Sequence, residues 1–402
     1  MAWDPRRRFP ERLTLESAVP RPPHPLSASQ RRRVVATATL AALLLLSACD
    51  RGGDPGQAVP AATTRAARST ATTAEQATTS TQRPATTDSR EPTGEPVTVA
   101  FGGDVHFEGA IGSRLAANPA TTFGPIAGVL RRADLAVVNL ETAVTERGTP
   151  APKDFTFRAP PAALTALKEA GVDVATMANN HGLDFGPVGL RDSLAAARSA
   201  RFPVVGVGGD ADQAYRAWRT TVKGQRIAVI GATQVLDSNL AAAWTAGDDK
   251  PGMASAYQEE RLLAAVRAAR ASADTVIVDL HWGRELASCP IDRQRALAPK
   301  LVAAGADVVV GSHAHVLLGG GYLRGAYVHY GLGNFVFYSR GGVTAQSGVL
   351  LLTLRGRAVT ASRWVPAVIS GGIPIPLQGA SATRAVASWQ SLRGCTGLQA
   401  KP

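Results

Sequence analysis

Five of the seven histidines in this 402-residue chain follow short apolar runs that have the character of buried strands. His313 and His315 are the most suggestive, because they come directly after the run 308–311. In extended backbone, residues i and i+2 project to the same side, so these two imidazoles would face one ligand together. The spacing therefore favours a metal site just past the carboxyl end of a strand.

Four further groups of polar residues occupy similar places in the chain. They are Asp104 with His106, Asn139 with Glu141, Asn179-Asn180-His181 with Asp184, and His281 in a His-Trp-Gly-Arg-Glu run. Taken singly, each has an ordinary explanation, such as a turn, a helix cap or a packed aromatic corner. Their recurrence favours a shared site, because α/β sheets bind ligands in the crevice at the carboxyl ends of their strands. Mixed imidazole, carboxylate and amide-oxygen ligands suit divalent Zn, Mn or Fe, and one carboxylate can bridge two such ions.

The elements that must position these groups follow from the apolar periodicity. Strands are predicted over 97–101, 134–139, 172–177, 275–280 and 307–310, and helices over 123–132, 161–170, 187–200, 259–271 and 293–304. A hairpin is predicted around Lys223-Gly224, with arms over 218–222 and 226–230. The chain then becomes β-rich, with strands over 327–330, 335–338, 348–354 and 358–365 and a last helix over 380–392. This change predicts an α/β fold with two packed sheets flanked by helices rather than one parallel sheet.

The composition permits a large core and argues against one class of partner. Hydrophobic residues make up 45% of the chain, and the formal net charge is +12, much of it from arginines before residue 34. Beyond that segment we find no stripe of Lys and Arg with interleaved aromatic residues. Binding of nucleic acid is therefore not expected.

The N-terminus has the pattern of a bacterial lipoprotein signal. Three arginines at 31–33 precede an apolar run over 34–46, and small residues then lead to Cys49. The run is shorter than the about 20 residues of an ordinary transmembrane helix. We predict a signal peptide over 1–49, lipidation of Cys49, and a position on the extracellular side of the cell membrane. An N-terminal anchor that is never cleaved is the alternative.

Domain boundaries follow from composition. Residues 50–95 are rich in Thr, Ala and Pro without apolar periodicity, which predicts a disordered linker. The folded domain is predicted over 96–372, with a tail over 373–402. Two cysteines remain, Cys289 and Cys395, and an even pair in an exported domain favours one disulfide. It would tie the tail to the loop after His281.

Six blocks of this sequence resemble a known family. They are Gly103-Asp104, Asn139-Leu140-Glu141, Ala178-Asn179-Asn180-His181 with Asp184 and Gly186, His281-Trp282-Gly283-x-Glu285, Gly311-x-His313-x-His315, and Leu332-Gly333-Asn334-Phe335. In this order they resemble the CapA family of bacterial capsule (poly-γ-glutamate) synthesis proteins, which is related to the calcineurin-like metallophosphoesterases. The resemblance implies a four-layer α/β/β/α sandwich of two mixed β-sheets.

The resemblance also implies a centre of two divalent metal ions. The ligands would be Asp104, His106 and His315 for the first ion, and Asn180, His281 and His313 for the second. Glu141 would stand where phosphoesterases carry an aspartate that bridges both ions. His181 would act as the general acid or would stabilise developing charge.

The substrate implied by the resemblance is an anionic polymer such as poly-γ-glutamate, or a phosphoester. Arg158 and Arg284 could neutralise its charge, although a solvated or structurally paired arginine explains them equally well, and Glu285 could orient a ligand histidine. Two functions remain open at this point. One is an exported metal-dependent hydrolase or transferase; the other is a non-catalytic factor that binds the polymer or membrane proteins of capsule synthesis and export.

Overall fold

The structure is a computed structural model that describes residues 93–402. The predicted signal peptide, Cys49 and nearly all of the predicted linker lie outside the described residues. Among the residues that are described, no helix is both long and apolar enough to cross a membrane.

The bounds of the elements within residues 93–402 are as follows. Strands β1 to β18 are Val97–Val105, Leu135–Leu140, Ala143–Val144, Arg158–Ala159, Val174–Thr176, Val204–Val205, Val207–Gly208, Trp218–Val222, Gln225–Thr233, Gly252–Met253, Thr275–His281, Val308–Ser312, Gly320–Leu323, Ala326–His329, Asn334–Val336, Gln346–Arg355, Ala358–Ser370 and Ile373–Pro376. Helices α1 to α9 are Ala110–Ala117, Ala127–Leu130, Ala162–Ala170, Gly186–Ala200, Ala211–Ala214, Ala241–Trp244, Glu259–Arg270, Asp292–Ala304 and Gly379–Ser391.

Two mixed sheets dominate the described part of the chain. The first has the order β18-β17-β16-β1-β2-β5-β6, and β15 also pairs with β1. Its β1, β2, β5 and β6 run parallel, whereas β16 is antiparallel to β1. The second has the order β13-β14-β12-β11-β9-β8, with a parallel centre and an antiparallel hairpin at each edge.

One apolar core lies between the two sheets. It joins Phe101 and Val137 of the first sheet to Val229, Ile277 and Val310 of the second. Because side chains alternate along a strand, the neighbours of these residues point away from this core and toward helices. The sheets therefore pack face to face.

Helices cover the outer faces of both sheets. Leu115 and Leu164 of α1 and α3 pack in one core with Val138 of the first sheet. Leu262 and Leu301 of α7 and α8 pack in another core that includes strands of the second sheet. The order of layers is thus helix, sheet, sheet, helix, which confirms the predicted α/β/β/α sandwich.

The carboxyl ends of four central strands meet where the candidate residues lie. Asp104 of β1 pairs in register with Asn139 of β2 and with Asn334 of β15. His281 of β11 pairs with Ser312 of β12. Each sheet therefore contributes one side of the site.

Several predicted elements differ in extent from the observed ones. The helix predicted over 123–132 is a 3₁₀ turn at Gly124–Ile126 followed by only the short α2. The strand predicted over 335–338 is the short β15. The strand β18 extends the first sheet into the segment predicted as a tail. Cys289 and Cys395 form the predicted disulfide, with their Cα atoms 5.8 Å apart.

Candidate metal centre

Glu141 lies at the middle of the site. It directly follows β2, and its backbone N–H donates to the carbonyl of Val105 at 2.8 Å, which fixes it beside β1. The side chain is fully buried, and neither carboxylate oxygen has a hydrogen-bond partner among residues 93–402. Burial and the nearby charge of Asp104 raise the pKa of Glu141 to about 8. A buried carboxylate without partners is costly unless a cation faces it.

Two groups of metal-ligating atoms share Glu141. The first group contains Asp104, Glu141 and His315, and the second contains Glu141, His281 and His313. The ligand atoms of each group lie within 4.8 Å of one another. Glu141 Oε1 lies 3.4 Å from Nε2 of His281 and 4.0 Å from Nε2 of His315. The carboxylate thus contacts both groups, the position that the resemblance assigned to a bridging residue.

Asp104 is held as an ionised carboxylate. Its Oδ1 accepts from Nδ2 of Asn139 at 2.7 Å, and its Oδ2 accepts from the backbone N–H of His313 at 3.2 Å. Burial acts to raise the pKa of Asp104, but the hydrogen bond and charge of His315, 3.5 Å away, outweigh it and lower the pKa to about 2. For His315, burial acts to lower the pKa, yet Glu141 and Asp104 raise it to about 10.

The backbone at His313 and His315 is left-handed, not extended. Strand β12 ends at Ser312, and the two φ angles are 97° and 55°. The prediction that an extended backbone aligns these side chains is therefore wrong; their ring centroids are 5.8 Å apart, with planes tilted by 56°. Such backbone costs about 1–3 kcal/mol per non-glycine residue and concentrates at functional sites.

The two histidines of the second group, His281 and His313, are uncharged. Burial lowers the pKa of His281 to about 3 and that of His313 well below its usual value. Nδ1 of His313 is buried and has no hydrogen-bond partner in the described part of the chain. Nε2 of His281 lies 2.7 Å from Oδ1 of Asn180. The structure thus brings together the residues predicted for the second ion, and unprotonated imidazole is the form that binds metals.

His181 faces the centre from the side of the first sheet. Its Nδ1 lies 2.6 Å from Oδ2 of Asp184, and its Nε2 lies 3.9 Å from Oε1 of Glu141. Its backbone N–H donates to Oδ1 of Asn179 at 3.0 Å. Because Asp184 accepts the Nδ1 proton, the Nε2 atom is the one presented to the centre.

Two residues near the site were not foreseen. Lys153 is largely buried; its Nζ lies 3.1 Å from Oδ1 of Asp184 and also donates to the carbonyl of Asn180. It stands in a loop without a motif, so no sequence signal marks it. Asp279 is fully buried in β11, and its Oδ1 has no hydrogen-bond partner within the described residues. Burial and the charge of Asp104 raise its pKa to about 8. Its i, i+2 spacing from His281 was the signal that could have found it.

His106 stands apart from the three groups of possible ligands found among the described residues. Its two ring nitrogens lie near backbone N–H groups, those of Glu108 at 3.0 Å and Tyr338 at 3.1 Å, of which the neutral ring can accept one. Burial lowers the pKa of His106 to about 3. Its role as a ligand of the first ion stays a prediction.

The predicted substrate-binding residues lie in different places. The guanidinium of Arg158 lies 4.8 Å from the ring of Phe185, and Arg284 is exposed. Glu285 forms the third group of possible ligands with His313 and His315. Of the three, Glu285 is therefore the residue that lies beside the centre.

Comparison with known proteins places this geometry in a family. The family model described as "Bacterial capsule synthesis protein PGA_cap" matches residues 98–339. The capsule biosynthesis protein CapA of Bacillus anthracis is 34% identical over 233 residues, 57% of this chain and 56% of that protein. The PGA biosynthesis protein CapA of Bacillus subtilis (strain 168) is 31% identical over 253 residues, 62% of this chain and 65% of that protein. A probable polyglutamine synthesis accessory protein of Mycobacterium tuberculosis is 33% identical over 210 residues, 50% of this chain and 55% of that protein.

Solved structures overlap with the chain at lower identity. A hypothetical protein from Thermus thermophilus is 19% identical, with a TM-score of 0.44, over 68% of this chain and 100% of that chain. A phosphatase from Mycoplasma pneumoniae is 15% identical, with a TM-score of 0.44, over 69% of this chain and 95% of that chain. The four-layer arrangement itself follows from the sheets and cores of this chain.

This chain matches only part of its curated relatives. It spans 56% of the length of the Bacillus anthracis protein and 65% of the length of the Bacillus subtilis protein. Because the family model spans every residue of the candidate centre, the chain belongs to the PGA_cap family of bacterial capsule synthesis proteins.

Proposed function

We propose that this protein is an exported, lipid-anchored, metal-dependent hydrolase that acts in the biosynthesis or export of a capsule or poly-γ-glutamate. The names of the two Bacillus relatives, a capsule and a PGA biosynthesis protein, support the biological setting. The disulfide between Cys289 and Cys395 supports export, since disulfides persist in oxidising compartments. The lipoprotein pattern ending at Cys49 supports the anchor.

The observation that carries the hydrolase proposal is the environment of Glu141. A fully buried carboxylate, whose two oxygens accept no hydrogen bond from the residues that the structure describes, faces imidazoles on both sides. Asp104 and His315 would hold one divalent ion, His281 and His313 a second, with Glu141 between them. Ions of this kind supply Lewis acidity toward a phosphoryl or carbonyl oxygen and a water-derived nucleophile at neutral pH. The imidazole and carboxylate ligands suit Mn, Zn or Fe.

The chain itself supplies the proton. Asp184 holds Nδ1 of His181, so a protonated His181 donates from Nε2, the atom 3.9 Å from Glu141. Lys153 contacts both Asp184 and the carbonyl of Asn180, and so fixes the loop that carries His181. The ring of Phe157 stacks on His181 at 4.0 Å between centroids and shields one face of the imidazole.

The metal content of the purified protein tests the proposal. We expect two divalent ions per chain by mass spectrometry, and the loss of at least one in Glu141→Gln. Ions that bind the folded state alone stabilise it by about 2.7 kcal/mol at a concentration of 100 Kd, so Mn²⁺ should raise the melting temperature of the wild type more than that of Glu141→Gln. Glu259→Gln, at an exposed ion pair with Lys300, is the matched control. A wild type without bound metal, or a Glu141→Gln variant that keeps both ions, would contradict the proposal.

A non-catalytic role in polymer assembly is the second candidate. The mycobacterial relative is named an accessory protein, which favours it. Hydrolysis of an aryl phosphate and of poly-γ-glutamate, measured before and after His181→Ala, separates the two. Metal-dependent turnover that His181→Ala abolishes supports the hydrolase, and binding of the polymer without turnover supports the assembly role.

A further inference from the structure

A cavity of about 280 Å³ opens directly beside the candidate centre. Its lining includes His181 and His315, so it is continuous with the site. Much of the remaining wall is aromatic, from Phe155, Phe157, Phe337 and Tyr338. Ligand pockets usually span about 300–1,000 Å³, so this space suits one or two rings.

The rim of the cavity exposes large apolar side chains. Phe155 is 61% exposed, Leu286 65% and Tyr338 46%. Leu286 is held there in left-handed backbone, with φ 57°, by its N–H bond to the carbonyl of Ala314 at 2.8 Å. Strained backbone and exposed apolar side chains at one rim are features of a ligand site.

The cavity has a charged side and an aromatic side. Its lining contains one carboxylate besides the centre, Glu285, and one arginine, Arg340, together with the two histidines that it shares with the centre. Arg158 lines a different cavity, on the side of Phe185. The shared histidines therefore face the place of a phosphoryl group, whereas an uncharged ring finds four aromatic surfaces.

We propose that this cavity binds an aromatic or similarly flat apolar group, carried by the substrate as the alcohol of a phosphoester next to the bond that is cleaved. The inference rests on the proposed hydrolase function and narrows its substrate class. His181 lines both the cavity and the centre, and Phe157 stacks on it with planes 21° apart. A ring in the cavity thus places its ester oxygen at Nε2 of His181.

The reaction that follows is an ordinary hydrolysis. The oxygen of water forms a bond to phosphorus, and the bond from phosphorus to the aryl oxygen breaks. The electron pair stays on that oxygen, which receives the proton from Nε2 of His181. A proton of the attacking water then restores the protonated His181.

Kinetics on two aryl phosphates test the proposal. Phenyl phosphate and 2-naphthyl phosphate have leaving groups of similar acidity, so their difference reports on the cavity. For Phe155→Ala and Tyr338→Ala we expect KM for 2-naphthyl phosphate to rise about 3- to 10-fold with kcat little changed, since an aromatic contact contributes about 0.5–1.5 kcal/mol. Tyr257→Ala, at a tyrosine 49% exposed outside the cavity, should leave both constants unchanged. Unchanged KM in both cavity variants would overturn the proposal.

A binding measurement separates this inference from the proposed function. Calorimetry with 2-naphthylmethylphosphonate, which is not hydrolysed, should show binding to the wild type and to the control Tyr257→Ala, and weaker binding to Phe155→Ala and Tyr338→Ala. That result without any turnover would keep the cavity as a binding site for an aromatic group and would reject both the hydrolase and the cleavage step. Turnover with a KM that is unchanged in Phe155→Ala and Tyr338→Ala would support the hydrolase and overturn the inference. Failure to bind the phosphonate, together with vesicle binding that both variants lose, would assign the rim to a lipid surface and overturn the inference.

Discussion

The two halves of the candidate centre differ in charge although both meet at Glu141. In the first half, Asp104 is ionised with a pKa of about 2, and His315 is protonated with a pKa of about 10. In the second half, burial keeps His281 and His313 neutral. The first half thus stabilises itself as an ion pair, whereas the second holds neutral imidazoles, and Nε2 of His281 donates its proton to Oδ1 of Asn180. One half must lose a proton before it can bind an ion through His315, and the other need not.

The largest effect that this contrast predicts is the loss of stability when one histidine of each half is replaced by alanine. In metal-free protein at pH 7, we expect His315→Ala to lower the free energy of unfolding by about 3–5 kcal/mol, because it leaves the buried charge of Asp104 unpaired. His313→Ala removes a neutral group and should cost less, about 1–3 kcal/mol. Both positions have positive φ, so the backbone effect is matched. Urea unfolding in the presence of a chelator measures the difference, and equal losses would refute the contrast.

The loop that carries Asn180 and His181 should depend on Lys153. Its ammonium group contacts Asp184 and the carbonyl of Asn180, so Lys153→Met should lower kcat about 10- to 100-fold, as the loss of supporting contacts around a metal site does. Lys168→Met is the control, because Lys168 bonds only the exposed end of α4 at the carbonyl of Ala200. Steady-state kinetics on an aryl phosphate decide it. Equal rates in the two variants would remove Lys153 from this role.

The backbone strain at His313 predicts a smaller effect of opposite sign. Its φ of 97° suits glycine, so His313→Gly should be more stable than His313→Ala by about 1–2 kcal/mol. Both variants lack the imidazole, so the comparison isolates the backbone. Thermal unfolding of the two metal-free variants measures it. A less stable glycine variant would show that the backbone at this position is unstrained.

The smallest expected effect is the change in the free energy of unfolding with pH. The pKa of Glu141 is raised to about 8 and that of His315 to about 10, so the folded metal-free state holds protons that the unfolded state has lost above its ordinary pKa values. The contribution of Glu141 to the free energy of unfolding is fully present below its ordinary pKa of 4.5 and is lost as the pH rises through about 8. That of His315 is fully present below 6.5 and is lost as the pH rises through about 10. Each proton contributes a slope of at most about 1.4 kcal/mol per pH unit. Urea unfolding of metal-free protein from pH 7 to pH 10 should show this fall. In His315→Gln the fall should be smaller, and an identical slope would contradict the assignment.

Much of the fold, and the gathering of the candidate residues at one place, was readable in the sequence, because strand ends and their polar groups are local patterns. The runs that end at Asp104, Glu141, His281 and His313 all lead into one crevice, as the meeting of strand ends at one edge of each sheet requires. The left-handed turn at His313 was not readable, since it depends on packing between the sheets. Lys153 was missed for the same reason: its partners are distant in the chain and meet it only after folding.

The disulfide has a consequence for where a complete rim can form. Cys289 follows closely on Glu285 and Leu286, and its bond to Cys395 ties that loop to the end of the chain. Thiols stay reduced in the cytosol of most bacteria, so this covalent link forms only in an oxidising compartment. Protein recovered from a reducing cytosol would keep the buried residues around Glu141 and the hydrogen bond of Leu286 to Ala314, but the loop would lack its link to the end of the chain. The disulfide thus makes the position of the loop that carries Glu285 and Leu286 depend on the redox state of the compartment in which the protein folds.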